Sequence, residues 1–266
     1  MNARYYSADC YFRAEQYDKA ISGYDFVIAQ PRSSFTETSL LNAAWIHYRN
    51  MEYDKALADY EQLEAIAEVK DNILSAQAGQ MRCQSKLGNQ DKALECAQKI
   101  INGSTTDKDL LNEAHLITAR TAFAKNDFTT AKSEYSVVAK RTNSAMTAES
   151  KYYLAMIEYK LGNYKESQKL IFEIQKQVPG YNYWIARGFI LLGDDYLAQK
   201  DTFQAKETYK SIVDNYVKNA DDPDDLRQIA SSKLDELNAT ELKKNNDIME
   251  QKLRNVKEPQ DSSESN

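Results

Sequence analysis

Apolar positions recur along this chain at helical spacing, interrupted at regular intervals by short polar breaks. In residues 183–216, Phe189, Leu192, Gly193 and Tyr196 fall at i, i+3, i+4 and i+7, and Ala205, Tyr209 and Ile212 repeat the spacing further on. Such spacing places apolar side chains on one face of a helix. The break between the two runs, Gln199-Lys200-Asp201, is too short for anything but an antiparallel helix hairpin. Equivalent breaks fall at Glu15-Gln16, Asn50-Met51-Glu52, Gly88-Asn89, Asn126-Asp127 and Gly162-Asn163. Gly or Asn there suits the left-handed backbone that ends a helix.

A second regularity runs through these segments: an aromatic, two polar residues, a small residue, three more, and another aromatic. It stands as YDKAISGY at Tyr17, YDKALADY at Tyr53 and FTTAKSEY at Phe128. Weaker copies are QDKALECA at Gln90, YKESQKLI at Tyr164 and TFQAKETY at Thr202. The small residues Ala20, Ala56, Ala93, Ala131, Ser167 and Ala205 are separated by 36, 37, 38, 36 and 38 positions, so the chain predicts six copies of one unit. Ala8, Ala44, Ala119, Ala155 and Gly193 each lie twelve residues before the small residue of the following helix, whereas Met81 departs from the pattern. Paired small residues predict a close crossing of the two helices in each hairpin. Tyr24, Tyr60, Tyr135 and Tyr209, four residues on, are expected to fill the space between neighbouring hairpins.

These residues carry a resemblance to the tetratricopeptide repeat, whose first helix bears an apolar residue, Leu, Gly and Tyr and whose second bears Ala, an aromatic and Ala. Phe189, Leu192, Gly193, Tyr196, Ala205 and Tyr209 match, Ile212 replaces the last Ala, and Pro179 stands where the family places proline. The period here exceeds the family's about 34 residues. The resemblance implies an all-α, right-handed superhelical solenoid of about six helix hairpins, at about 1–31, 36–67, 72–103, 108–141, 145–178 and 182–217. Beyond Tyr216, DDPDD supplies a capping Asp and a proline for a first helical turn. Leu226, Ile229, Leu234 and Leu237 then continue an apolar face. That predicts a C-terminal capping helix over 224–255, of the kind a repeat array needs for solubility. The Ser-rich residues 256–266 are expected to form a disordered polar tail. The N-terminus begins as if in mid-helix, which predicts a fragment of a longer or processed chain.

Composition narrows the functional classes. Four Pro and eight Gly in 266 residues favour helices over turn-linked sheets. A net charge of −6 lacks the basic footprint of a nucleic-acid binder, and no run reaches the ~18 apolar residues of a membrane span. MNARYYSADCYF is not a signal peptide. Periplasm and cytoplasm stay equally open. Cys10, Cys83 and Cys96 have no metal or redox spacing and are expected to be small buried apolar residues. His47 and His115 stand 68 residues apart with no ligand pattern. Gly193-Asp194-Asp195 is better explained by packing than by metal binding, and the triplets at Asn102 and Asn238 are common by chance. With no phosphate loop, nucleophile elbow or separate acid pair, the chain is expected not to be an enzyme and to need no cofactor.

The resemblance implies that the first helix of each hairpin lines a concave groove. Arg13, Arg49, Lys86 and Lys160 would close those helices. Trp45, Arg82 and Arg120 would stand one turn earlier, with Tyr48, Phe123 and Tyr159 beside them. This basic and aromatic groove would suit an acidic or C-terminal peptide. The alternative is that basic residues merely answer the helix dipole and the aromatics merely pack. The family's Asn-containing carboxylate clamp is not carried over, because Trp45, Arg82 and Arg120 occupy the corresponding point. The expected function is a non-catalytic scaffold or adaptor for a peptide or protein segment, with a setting in bacterial envelope assembly. A regulatory sensor whose array changes curvature on binding is the alternative.

Overall fold

The computed structural model describes residues 1–140 and 144–257, with side chains as far as Arg254. The expected disordered tail falls, from residue 258 on, outside the described residues. All regular structure among the described residues is helical, and the chain divides into two compact units, Met1–Arg141 and Thr142–Asn266.

The first unit holds four antiparallel pairs: α1 (Asn2–Arg13) with α2 (Tyr17–Ile28), α3 (Thr36–Arg49) with α4 (Tyr53–Ile66), α5 (Lys70–Lys86) with α6 (Gln90–Asn102), and α7 (Lys108–Ala124) with α8 (Phe128–Ala139). The second holds α9 (Ala145–Lys160) with α10 (Tyr164–Gln177), α11 (Asn182–Ala198) with α12 (Thr202–Asn215), and the long α13 (Leu226–Lys257). Within each unit every helix packs on the next in sequence, the arrangement of a helical solenoid.

All six hairpin turns are built alike. One residue takes positive φ: Glu15, Met51, Gly88, Asn126, Gly162 and Lys200, between 58° and 79°. The following amide reaches back to close the helix end, as Gln16 N does to Tyr11 O at 2.8 Å and Asp201 N to Tyr196 O at 2.8 Å. This is the Schellman closure that satisfies orphan carbonyls. Half of these positions carry neither Gly nor Asn, so the geometry is imposed by the hairpin rather than by the residue.

The cores follow the repeat. Tyr24, Tyr135, Tyr209, Leu40, Leu63, Ile100 and Ile174 are all fully buried, and each of the aliphatic side chains contributes roughly 1.5–3 kcal/mol of apolar burial. The small residues answer to more than helix crossing. A Cβ on Gly193 would lie 2.3 Å from the Tyr209 ring, and one on Gly79 2.3 Å from the Tyr60 ring. Gly23 meets Ala8, where a Cβ would stand 2.7 Å from Ala8 Cβ. Gly193 is therefore small because a tyrosine ring lies over it.

Two further expectations are corrected. Cys83 and Cys96 are buried but Cys10 is exposed, on a face of α1 that no described helix covers. Pro223 lies before α13 and not in its first turn. The cap is Asp225, which accepts from Arg227 N at 3.1 Å and Gln228 N at 3.2 Å. From there Leu226 and Ala230, with Leu234 and Leu237, pack onto the core of α11 and α12.

Candidate functional site

In the first unit the C-terminal parts of α1 and α3 and the start of α2 bring together Phe12, Tyr17, Trp45 and Arg49. Phe12 and Tyr17 lie 5.6 Å apart, and Trp45 sits 5.4 Å from Phe12 and 5.1 Å from Tyr17 between ring centroids. The Arg49 guanidinium stands 4.3 Å from the Tyr17 centroid and 5.9 Å from that of Trp45. Each cation–ring contact is worth about 0.5–1 kcal/mol at an exposed site, enough to orient the fork. Trp45 is nonetheless 40% exposed, and among the described residues no carboxylate pairs with Arg49. Beside them opens a 510 Å³ cavity lined by Tyr17, Arg49, Gln16 and Asn50, with Glu15, Asp18 and Lys19. Because the acids there balance the bases, carboxylate selectivity would have to come from the Arg49 fork rather than from a general positive field.

The other expected site residues separate in their roles. Arg82 is bound by Glu113 of the next hairpin, through Nε at 2.9 and 3.0 Å and a terminal nitrogen at 2.6 Å. This contact holds the guanidinium above its ordinary pKa. Such a two-pronged pair is geometrically specific and occupies the fork. Arg13 is paired with Asp9 one turn back, at 2.9 Å. Lys86 ends α5 exposed, and Arg120 is exposed on α7. In the second unit Lys160 is exposed at the end of α9 and Tyr159 is half-buried.

The aromatics share a packing role across the hairpin turn. Tyr48 meets Tyr53 at 5.3 Å, Phe123 meets Phe128 at 5.8 Å, and Tyr159 meets Tyr164 at 5.8 Å. Phe12 and Tyr17 repeat this relation, the last-turn aromatic of one helix against the first residue of the next. Tyr17 was not foreseen at the site. Its signal is the aromatic five residues after Phe12, where the turn must fold it back onto the first helix. At Trp45 such a pair is extended by a third ring that remains open to solvent.

Gly193-Asp194-Asp195 ties the second unit together. Asp194 accepts from Tyr209 Oη at 2.6 Å and from Lys233 Nζ of α13 at 2.7 Å. Asp195 accepts from Ser167 Oγ of α10 at 2.8 Å. Among the described residues no group of three His, Cys, Asp or Glu side chains is placed to hold a metal ion, and no helix is long and apolar enough to cross a membrane. Both histidines instead bond carboxylates of their own hairpins, His47 Nδ1 to Asp59 at 2.8 Å and His115 Nδ1 to Glu134 at 2.6 Å.

Hairpins of two helices, closed by one kind of turn and stacked in sequence, define an α-helical repeat protein. The profile of the tetratricopeptide repeat-like domain family matches residues 42–239, and the chain belongs to that family, whose general role is protein–protein interaction. Among solved structures it is similar to a tetratricopeptide repeat protein from Parabacteroides merdae, with 15% identity, TM-score 0.64 and 91% of each chain covered. It is also similar to the C-terminal part of a repeat-containing protein from Cytophaga hutchinsonii, with 17% identity, TM-score 0.60, and 79% of this chain and 78% of that one covered. A third is YrrB, described as a repeat protein with an unusual peptide-binding site: 15% identity, TM-score 0.55, covering 72% of this chain and 91% of that one. Likeness at these identities establishes the fold alone. A search of curated proteins finds no match.

Proposed function

We propose that the chain is a non-catalytic adaptor that binds a peptide or protein segment, and that Trp45 and Arg49 anchor it. The observation that carries this reading is the exposed Trp45 held in a fixed cluster with an Arg49 fork that no described carboxylate occupies. An indole face offers apolar area at little entropic cost, and a pre-oriented guanidinium donates two parallel hydrogen bonds to a carboxylate. An acidic side chain next to an apolar residue, or a free C-terminus on one, fits both. YrrB's peptide-binding site supports the mode at the level of the fold. The setting in bacterial envelope assembly rests on the wording LLGDDYLAQKDTFQAKETYKSIVDNY, which resembles that of bacterial tetratricopeptide proteins.

The test is a fluorescence-anisotropy screen of labelled octapeptides with acidic, neutral and amidated C-termini. Peptides with a free or acidic end are expected to bind, and both Arg49→Glu and Trp45→Ala to weaken them tenfold or more, about 1.4 kcal/mol. Arg82→Ala is expected to leave affinity within about twofold while lowering stability, since it strands Glu113. Unchanged affinity in Arg49→Glu and Trp45→Ala, or equal loss in Arg82→Ala, would sink the assignment.

A further inference from the structure

The peptide-binding reading makes no use of Asp195. Its side chain is 0% exposed, at the point where α11 of one hairpin meets α10 of the preceding one. Oδ2 accepts from Ser167 Oγ at 2.8 Å, and Oδ1 has no hydrogen-bond partner. The same helices bury Ile171 and Ile174 against Leu191 and Leu192, so the carboxyl belongs to an apolar layer. A carboxylate sealed from water with one hydrogen bond is poorly compensated, whereas a neutral carboxylic acid is tolerated.

The neighbouring groups do not supply the missing charge. On α11 the adjacent Asp194 carries the same sign. The cation of α13, Lys233, is engaged by Asp194, as is the Tyr209 hydroxyl of α12. On α9 the titratable group near enough to sense Asp195 is the phenol of Tyr159. The contact from α10 is the neutral Ser167.

We propose that Asp195 is a proton-controlled latch at the junction of the α9–α10 and α11–α12 hairpins, closed when its carboxyl is neutral and loosened when it is ionised. Burial is the main cause that pushes this carboxyl from 3.8 up to about 7. The Ser167 hydrogen bond works against the rise and the Asp194 charge adds to it. In an opened junction, where water reaches the carboxyl, its pKa returns towards 3.8. Between those values the closed form holds a proton that the open form lacks. Rising pH therefore favours opening by up to about tenfold per pH unit, and the dependence stops above about 7, where both forms are ionised. From pH 5.5 to 7.5 the opening equilibrium is expected to rise about twenty-fold.

Hydrogen exchange of the whole chain, read on the α10 and α11 amides at pH 5.5 and 7.5 and corrected for intrinsic exchange rates, tests this directly. The wild-type chain should lose about twenty-fold in protection at the higher pH, by the same relation. Asp195→Asn should keep its protection at both. Equal protection of the wild type at the two pH values overturns the proposal, and so does an undiminished pH dependence in Asp195→Asn. Should that variant not fold, carboxyl-carbon NMR of Asp195 in the wild type decides: a midpoint near 7 supports the latch, and one below about 5 refutes it.

Discussion

Replacing Gly193 by Ala sets two effects of opposite sign against each other. In an ordinary helix interior this change stabilises by about 1 kcal/mol, because Ala has the better helix propensity. Here the added Cβ would stand 2.3 Å from Tyr209 Cε1, 2.7 Å from Cζ and 2.8 Å from Cδ1, against ordinary carbon contacts of about 3.5–4.0 Å. Something must move by roughly 1 Å. The ring is fully buried, and its hydroxyl is bonded to Asp194 at 2.6 Å, so it cannot turn aside without weakening that bond. Overpacking of this kind costs about 1–3 kcal/mol, and a strained hydrogen bond to a charged acceptor adds to it. The expected net loss is about 1–3 kcal/mol.

Gly188 supplies the control within the same helix. A Cβ there would lie 3.3 Å from Ile171 Cγ2, so this methyl branch need shift by only a few tenths of an ångström to reach ordinary contact at about 3.5–4.0 Å. Gly188→Ala is expected within about 1 kcal/mol of wild type, on the stabilising side. Urea unfolding followed by circular dichroism, with midpoints compared at equal m-value, gives the difference between the two variants free of propensity. If Gly193→Ala is as stable as Gly188→Ala, close approach of the Tyr209 ring is not why residue 193 is glycine. The double variant Gly193→Ala with Tyr209→Leu should lose less than the sum of the single changes, since the ring that causes the overlap has gone.

Two other outcomes follow from the fold. Of the three thiols, Cys10 alone is exposed, while burial pushes Cys83 up to about 12 and raises Cys96. A thiol-reactive reagent under native conditions should therefore modify one cysteine quickly and the other two only on unfolding, as mass spectrometry would show. Lys200 holds φ +65°, so Lys200→Gly should stabilise by roughly 0.5–1 kcal/mol, read as a rise in the urea midpoint. A fall would mean that the Lys200 side chain contributes more than its backbone strain removes.

The helical hairpins were legible because their signals are local. Apolar spacing, polar breaks and the 36–38-residue recurrence of a small residue each depend on neighbours along the chain, and so do the six turns. Details that depend on contacts across helices were not legible. Asp225 rather than Asp222 caps α13 because the chain is already committed elsewhere: Asp222 accepts from Tyr216 Oη at 2.6 Å and Asn219 N at 2.8 Å. Gly193 looked like a partner for Ala205, but the group it makes room for lies one turn beyond, and ring placement is set by packing that spacing does not encode.

The candidate site shows the same limit more sharply. Trp45, Arg49 and Arg82 rank alike in the sequence, as inward positions on first helices. Their difference lies in what the following hairpin brings opposite each. Glu113 stands 31 residues after Arg82 and closes its fork. No described carboxylate does this for Arg49, which rests instead on Tyr17 and Trp45. A charge count along the groove treats the two arginines as equal. In the folded chain a buried or saturated ion pair offers a ligand little, while an oriented and unsaturated fork retains most of its capacity. On the proposed reading, binding capacity in such an array depends on which repeats leave an oriented arginine fork without a carboxylate, as the α1–α3 contact does with Arg49.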